Sequence, residues 1–171
     1  MIHIYYGDGK GKTTCGMGLC LRAAGTGRKV LIWQLMKDGS SGERAAMGQV
    51  PGIDLIEAPE RVLFSFQMSE DEKAEQRAFN NKRLREITDT AIDNGYDLLF
   101  LDEALYAVGA ALLDEGTLLD TMDRCLDRVE LVLTGRDPSD EILKRADYIT
   151  QFVKEKHPFD RGIAARQGIE F

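Results

Sequence analysis

The stretch Gly7-Asp8-Gly9-Lys10-Gly11-Lys12-Thr13-Thr14 decides the fold of this chain, and it directly follows an apolar run from Ile2 to Tyr6. Glycines allow backbone N–H groups to turn toward an anion without Cβ clashes. Lys12 supplies a cation, and the Thr13 hydroxyl can ligate Mg²⁺ beside the phosphates. A helix predicted from Thr13 to Ala24 directs the positive end of its dipole at the same place. The sequence therefore predicts a phosphate-binding loop between a strand and a helix, with a nucleotide as its ligand.

The glycine spacing of this loop departs from the common pattern. That pattern places a first glycine five residues before the glycine of the Gly-Lys pair. Counting back from Gly11 gives Tyr6, and the nearest glycine, Gly7, stands one position late. The loop is therefore a variant, and the motif alone leaves open where along it each phosphate lies.

Length, composition and charge narrow the class of protein. The chain has 171 residues, 43% of them hydrophobic, and no linker rich in Pro, Gly or Ser divides it. We therefore predict a single domain over residues 1–171. A formal net charge of −7 opposes nucleic-acid binding, which depends on neutralising phosphates. Charged residues occur early and the longest apolar runs are strand-sized, which predicts a cytoplasmic protein with no membrane partner.

The cysteines are odd in number and lack the spacing of metal ligands. They are Cys15, Cys20 and Cys125, and the first two fall within the predicted helix after the loop. We predict that they are buried free thiols.

Apolar runs and helix signals alternate along the chain. The predicted strands are Ile2–Tyr6, Val30–Met36, Ile53–Ile56, Leu98–Leu101, Leu131–Thr134 and Tyr148–Val153. The predicted helices are Thr13–Ala24, a long helix from the capping box at Ser69 to about Asn94, Thr117–Leu126, and a helix that starts at Asp137-Pro138. Continuous rather than alternating apolar runs indicate strands that are covered on both faces. The sequence thus predicts an α/β, P-loop NTPase-like fold: a mostly parallel sheet with helices on both faces.

The strand Leu98–Leu101 delivers Asp102 and Glu103 to the sheet edge where the phosphate loop is also expected. Mg²⁺ prefers oxygen ligands and keeps several waters, so one hydroxyl, one carboxylate and the phosphates suffice for a site. We therefore predict a metal site that comprises Thr13 with Asp102 or Glu103. The alternative is that Asp102 caps a turn and Glu103 is solvated.

Other candidate ligand contacts are individually weaker. Arg136 could clamp a phosphate oxygen or form a surface salt bridge. The tail segment Lys156-His157-Pro158-Phe159 is a second candidate, although a lone histidine near Pro and Phe is more often structural, as is expected of His3. Phe64 and Phe66 either fill the core or form an apolar wall for a flat second substrate.

Together these residues resemble a known family, the P-loop type of ATP:corrinoid adenosyltransferase. The likeness spans nearly the whole chain. It rests on Gly7–Thr14, Gly42-Glu43-Arg44, Leu101-Asp102-Glu103, Thr134-Gly135-Arg136, Lys156-His157-Pro158-Phe159 and Gly168-Ile169-Glu170-Phe171. The displaced first glycine is itself similar to the family pattern, in which the triphosphate lies in the loop in the reverse of the usual direction.

The resemblance implies a reaction and a set of roles. The Co(I) centre of a reduced corrinoid attacks the ribose C5′ of ATP, a cobalt–carbon bond forms, and triphosphate leaves. Lys12, Thr13 and Glu103 are the implied catalytic residues, with Mg²⁺ as cofactor. The implied substrate contacts are Gly7, Asp8, Gly9, Lys10, Gly11, Lys12, Thr13, Thr14, Glu43 and Arg136, together with Phe64 and Phe66 against the lower face of the corrin. Family members often carry Trp where Phe66 stands.

The resemblance also implies an electron donor such as a flavoprotein reductase, and a homodimer. Two rival functions remain at this point. One is a small P-loop kinase or NTPase that cleaves ATP at the γ-phosphate. The other is a carrier that binds nucleotide and corrinoid without catalysis.

Overall fold

The computed structural model of this chain describes residues 1–58 and 68–170. Its strands are β1 Ile2–Tyr6, β2 Val30–Gln34, β3 Ile53–Leu55, β4 Leu98–Asp102, β5 Glu130–Gly135 and β6 Tyr148–Gln151. Its helices are α1 Lys12–Ala24, α2 Gly42–Met47, α3 Glu70–Asp93, α4 Ala104–Gly109, α5 Glu115–Cys125 and α6 Asp140–Lys144, and a 3₁₀ turn follows at Pro158–Arg161. No helix in these described ranges combines the length and apolar character needed to cross a membrane.

The strands form one six-stranded sheet in the order β3-β2-β4-β5-β1-β6, and every neighbouring pair is parallel. Apolar side chains pack on both faces. One cluster includes Leu99 and Leu131 with residues of α3, α4 and α5, and the other includes Phe100 and Val132 with residues of α1. The predicted α/β fold with a parallel sheet and helices on both faces is confirmed.

Most predicted elements are present, with shifted ends. The long helix has the predicted capping box, in which Ser69 and Glu72 exchange side-chain to backbone hydrogen bonds. β2 ends at Gln34 rather than Met36, and α5 begins two residues before the predicted Thr117. The predicted helix start at Asp137-Pro138 is wrong. The Ser139 hydroxyl caps α6 instead by accepting a hydrogen bond from Ile142 N, so that the helix begins at Asp140.

The prediction of buried cysteines is correct for two of the three. Cys20 and Cys125 are buried, and burial raises the pKa of their thiols to about 12 and about 11. Cys15 is exposed, contrary to the prediction. Successive residues of a helix turn by about 100°, which places Cys15 and Cys20 on different sides of α1. Only Cys20 faces the sheet.

The packing of α1 on the sheet yields a stability prediction with an internal control. A Cβ added to Gly16 would lie 2.4 Å from Phe100 Cζ, and Phe100 is fully buried at the sheet centre. A Cβ on Gly18, two residues along the same helix, would meet nothing within 4 Å. We expect Gly16→Ala to lower the free energy of unfolding by about 1–3 kcal/mol through overpacking. Gly18→Ala should raise it by roughly 0.5–1 kcal/mol, because alanine favours the helix.

Urea unfolding followed by circular dichroism measures both changes. Effects of the same sign in the two variants would contradict the close contact between α1 and β4.

Candidate active site

The phosphate-binding loop connects β1 to α1, as predicted. Gly11 is the N-cap residue of α1 and has a φ of 111°, a left-handed conformation that favours glycine. The helix begins at Lys12, and no acidic residue occupies its first turn. As at any helix start, the first N–H groups have no partner within the helix and are available to an anion.

Two loop glycines allow the loop to approach the end of β5 and the residue that follows β6. The Gly7 N–H donates to Gly135 O, and the Gly9 N–H donates to Phe152 O at 2.8 Å. A Cβ on Gly7 would lie 2.3 Å from Phe152 O. The structure thus gives Gly7 and Gly9 a packing role, with their N–H groups bonded to neighbouring carbonyls, and their contact with phosphate stays a prediction.

A cleft of about 510 Å³ opens beside the loop. It brings together seven residues predicted from the sequence, which are Lys10, Gly11, Lys12, Thr13, Thr14, Glu43 and Glu103. Five further residues complete its lining: Lys37, Gly42, Gly168, Ile169 and Glu170. The cleft therefore combines the phosphate loop with the end of β4, the start of α2 and the C-terminal tail.

Lys12 lies over the loop and is partly buried. Its Nζ donates to Gly9 O at 2.8 Å. Burial lowers the pKa of Lys12, and nearby Arg136 adds to this effect, while Glu103 opposes it. The ammonium is thus held in a site where an anion would stabilise its charge.

Asp102 is the centre of a buried polar network beneath the cleft. The side chain has no exposed surface. Its Oδ1 accepts hydrogen bonds from the Thr13 hydroxyl at 2.9 Å and the Thr134 hydroxyl at 2.7 Å. Its Oδ2 accepts from Gln34 Nε2 at 3.0 Å and lies 3.1 Å from Lys37 Nζ. This carboxylate therefore ties the phosphate loop to three strands of the sheet.

Glu103 faces the cleft from a strained backbone position. Its φ of 61° is left-handed, and its N–H donates to the Thr134 hydroxyl. Burial raises the pKa of Glu103, and the charge of Asp102 raises it further, whereas Lys12 and Lys37 oppose the rise. A bound cation beside this partly buried carboxylate would stabilise its ionised form.

Sequence reasoning missed Gln34 and Lys37. Lys37 Nζ lies 3.1 Å from Glu43 Oε1 as well as from Asp102. Burial alone would lower the pKa of Lys37, but the carboxylates of Asp102 and Glu43 outweigh it, so that the pKa lies above its usual value. The parallel register pairs Gln34 with Asp102. This contact depends on β2 and β4 being neighbours in the sheet, and a local sequence pattern does not reveal which strands are neighbours.

The remaining predicted residues lie elsewhere. Asp8 and Arg136 line a second cavity, together with His157 and Phe159. His3 has the expected structural role, because it stacks on Tyr148 and its Nε2 lies 2.6 Å from Glu130 Oε1. Phe64 and Phe66 lie outside the described residues.

The C-terminal tail contacts the loop directly. Glu170 Oε1 accepts from Lys10 Nζ at 3.1 Å, and the Glu170 carboxylate also pairs with Arg166. Hydrogen bonds from Arg166 lower the pKa of Glu170 to about 2. The segment Gly168–Glu170 singled out in the sequence thus forms one wall of the cleft.

Comparison with known proteins places this site in a family. Residues 1–171 match the family described as ATP:corrinoid adenosyltransferase BtuR/CobO/CobP. The corrinoid adenosyltransferase of Escherichia coli K12 is 28% identical over 172 residues, covering 100% of this chain and 85% of that protein. Corrinoid adenosyltransferase CobA of Salmonella typhimurium has the same identity and coverage. The corresponding protein of Pseudomonas aeruginosa is 28% identical over 98% of this chain and 82% of its own. The chain belongs to the ATP:corrinoid adenosyltransferase family.

Proposed function

We propose that this chain transfers the 5′-deoxyadenosyl group of ATP to the Co(I) centre of a corrinoid and releases triphosphate. The observation that carries the proposal is the link between the two halves of the site, in which Thr13 of the loop donates to Asp102 at the end of β4. This link brings Lys12, Thr13 and Glu103 to one cleft. Family membership supplies the substrates, ATP and a corrinoid.

The chemistry explains why the cleft is built for an anion. The reduced corrinoid is the nucleophile: its cobalt forms a bond to C5′, the bond between C5′ and the α-phosphate oxygen breaks, and the electron pair leaves with the triphosphate. Such a nucleophile requires no general base. The protein must hold C5′ in line with the cobalt and stabilise negative charge on the leaving oxygen. We assign the second task to Lys12 and to the N–H groups at the start of α1.

The residues of the cleft fit a Mg²⁺ ion bound with the phosphates. The Thr13 hydroxyl gives its hydrogen to Asp102, which leaves the oxygen lone pairs free for a ligand. The Glu103 carboxylate lines the same cleft. We therefore assign Thr13 and Glu103 as the residues that would hold Mg²⁺. The ion would neutralise part of the charge of the phosphate oxygens.

Asp102 has a different role in this proposal. It is fully buried and already accepts three hydrogen bonds, besides its ion pair with Lys37. It therefore acts through Thr13, which it orients, rather than as the ligand that faces the cleft. Lys37 holds Asp102 and Glu43 in place across the network.

Product analysis tests the proposal against its rivals. Incubation of the protein with ATP, Mg²⁺ and a chemically reduced corrinoid should yield triphosphate and an adenosylated corrinoid in equal amounts, over many turnovers. Without corrinoid, ATP should remain intact. Release of ADP in that control would instead indicate a kinase or NTPase that cleaves ATP at the γ-phosphate. Family membership does not favour this alternative. Binding of ATP and corrinoid under full reduction without formation of either product would indicate a carrier.

Three further features belong to the proposal. We expect the enzyme to work in the cytoplasm as a homodimer, and to receive an electron for the corrinoid from a donor such as a flavoprotein reductase. Sedimentation analysis tests the dimer. Replacement of the chemical reductant by a reduced flavoprotein tests the donor.

A further inference from the structure

The C-terminal tail places a carboxylate in the cleft beside the phosphate loop. Tail residues 168–170 line the same cleft as Lys12. The Glu170 side chain is 18% exposed, and its Oε1 accepts a hydrogen bond from Lys10 Nζ at 3.1 Å. Lys10 is a residue of the loop itself. A carboxylate of the chain therefore contacts a lysine of the loop to which the triphosphate is proposed to bind.

Glu170 is held in place by Arg166, independently of the loop. Its Oε2 accepts hydrogen bonds from Arg166 N at 2.8 Å and Nε at 3.2 Å, and its Oε1 accepts from Nη2 at 3.0 Å. The Glu170 N–H donates to Arg166 O at 2.9 Å, which closes a turn of the tail. The hydrogen bonds from Arg166 lower the pKa of Glu170 to about 2, so the carboxylate is ionised at neutral pH. Its contact with Lys10 is therefore an addition to a carboxylate that the tail itself positions.

Lys10 and Lys12 have different partners in the loop. Lys12 Nζ donates to a backbone carbonyl, that of Gly9. Among the described residues, Glu170 is the one hydrogen-bond partner of Lys10 Nζ, and the Lys10 side chain is 47% exposed. An exposed ion pair of this kind contributes little stability and opens readily. The ammonium of Lys10 can therefore leave Glu170 for a phosphate without disturbing the fold.

The charges of the cleft show why this pair would open. The described lining carries three lysines and three glutamates: Lys10, Lys12, Lys37, Glu43, Glu103 and Glu170. Glu43 is paired with Lys37 at 3.1 Å, and Glu103 is the carboxylate assigned to Mg²⁺. Glu170 remains as a negative charge beside the triphosphate, because its partner in the loop is a cation that the phosphates also attract. The carboxylate and the triphosphate therefore compete for Lys10.

From this arrangement we infer that Glu170 exchanges with the triphosphate as the partner of Lys10, and that its carboxylate takes the lysine back when the triphosphate leaves. This inference rests on the proposed function, because it concerns the leaving group of the same reaction. Arg166 keeps Glu170 beside the loop while Lys10 contacts the phosphates. The tail carboxylate thus weakens the binding of the product and favours its release.

Calorimetric titration with inorganic tripolyphosphate and Mg²⁺ tests the inference. We expect Glu170→Gln to bind tripolyphosphate roughly 3- to 10-fold more tightly than the parent protein, because the neutral amide does not compete for Lys10. Glu170→Ala should give a similar gain, so that the result does not depend on how glutamine packs. The matched control is Glu155→Gln, which removes an exposed tail carboxylate outside the described lining of the cleft and should leave the affinity unchanged.

A double-mutant cycle tests whether the effect passes through Lys10. In a Lys10→Gln protein, the further change Glu170→Gln should alter tripolyphosphate affinity by less than about twofold, because the lysine that the two anions share is absent. In turnover assays with a reduced corrinoid, added tripolyphosphate should inhibit Glu170→Gln at lower concentrations than it inhibits the parent protein.

Unchanged affinity in Glu170→Gln would overturn the inference. Weaker binding would overturn it too, since the carboxylate would then orient Lys10 toward the phosphates. An equal gain with and without Lys10 would show that Glu170 only repels the phosphates, and exchange through Lys10 would be wrong. The proposed function fails in a different way. If tripolyphosphate does not compete with ATP for the parent protein, the loop does not hold the leaving group, whatever the effect at Glu170.

Discussion

Replacing Lys12 by alanine is expected to slow adenosyl transfer by about 100- to 1,000-fold, the usual effect of removing one group that stabilises charge in a transition state. In the proposed reaction Lys12 stabilises the negative charge that develops on the leaving triphosphate, and its Nζ lies against the loop backbone at Gly9. Single-turnover kinetics with a fully reduced corrinoid measures the chemical step without a contribution from the reductase.

The fold should tolerate this change. Burial lowers the pKa of Lys12, which means that the folded protein disfavours its charge relative to the unfolded chain. Removal of the ammonium therefore should not lower the melting temperature. Lys144→Ala is a matched control, because it removes one lysine of a surface ion pair on α6. A folded Lys12→Ala protein that keeps its transfer rate within about threefold would contradict the assigned role.

The parts of the site that could be predicted are formed by residues that are adjacent in the sequence. The loop requires glycines, Lys12 and Thr13 in one stretch, and the apolar run of β4 leads directly to Asp102 and Glu103. The sheet rule then brings both to one edge, because parallel strands of such a fold present their carboxyl ends together. The Thr13–Asp102 hydrogen bond confirms that the two stretches meet.

The parts that could not be predicted depend on tertiary contacts. Lys37 lies in a stretch without a motif, and it gains two carboxylate partners only because β2 lies beside β4. The short helix α4 begins directly after Glu103, which has a left-handed φ. A non-glycine residue rarely adopts this conformation, so the sequence did not indicate it. The sequence left open whether Arg136 clamps a phosphate or forms a surface salt bridge, and the structure places it in the lining of the second cavity rather than of the cleft that Glu43 lines.

Glu103→Gln is expected to have two opposite effects. It should reduce the rate of adenosyl transfer by roughly 100-fold and raise the Mg²⁺ concentration required for half-maximal rate, since an amide replaces the carboxylate assigned to the metal. The same change should raise the melting temperature of the protein without ligand at neutral pH. The reason is that the pKa of Glu103 is raised by burial and by Asp102, so its ionised form is disfavoured in the folded state.

The sign of the pH dependence follows from the same shift. A carboxyl with a raised pKa in the folded state is protonated in both states at low pH, where glutamine and glutamic acid should be equivalent. The ionised carboxylate lowers the free energy of unfolding of the parent protein. This loss of stability begins as the pH rises above 4.5, the ordinary pKa of glutamate, and is complete above the raised pKa of Glu103. The gain in melting temperature of Glu103→Gln over the parent should therefore be small near pH 4 and larger at pH 7.

Glu75→Gln provides the control, because it removes one exposed carboxylate on α3, away from the cleft. Thermal unfolding of the three proteins at the two pH values, in a chelator and without nucleotide, separates the charge effect from metal binding. A Glu103→Gln protein that melts below the parent at pH 7 would show that the carboxylate stabilises the fold. The raised pKa of Glu103 would then be wrong, and so would the argument from it that Glu103 binds a cation. Added Mg²⁺ and ATP should reverse the order of the melting temperatures, because only the parent keeps the carboxylate that binds the ion.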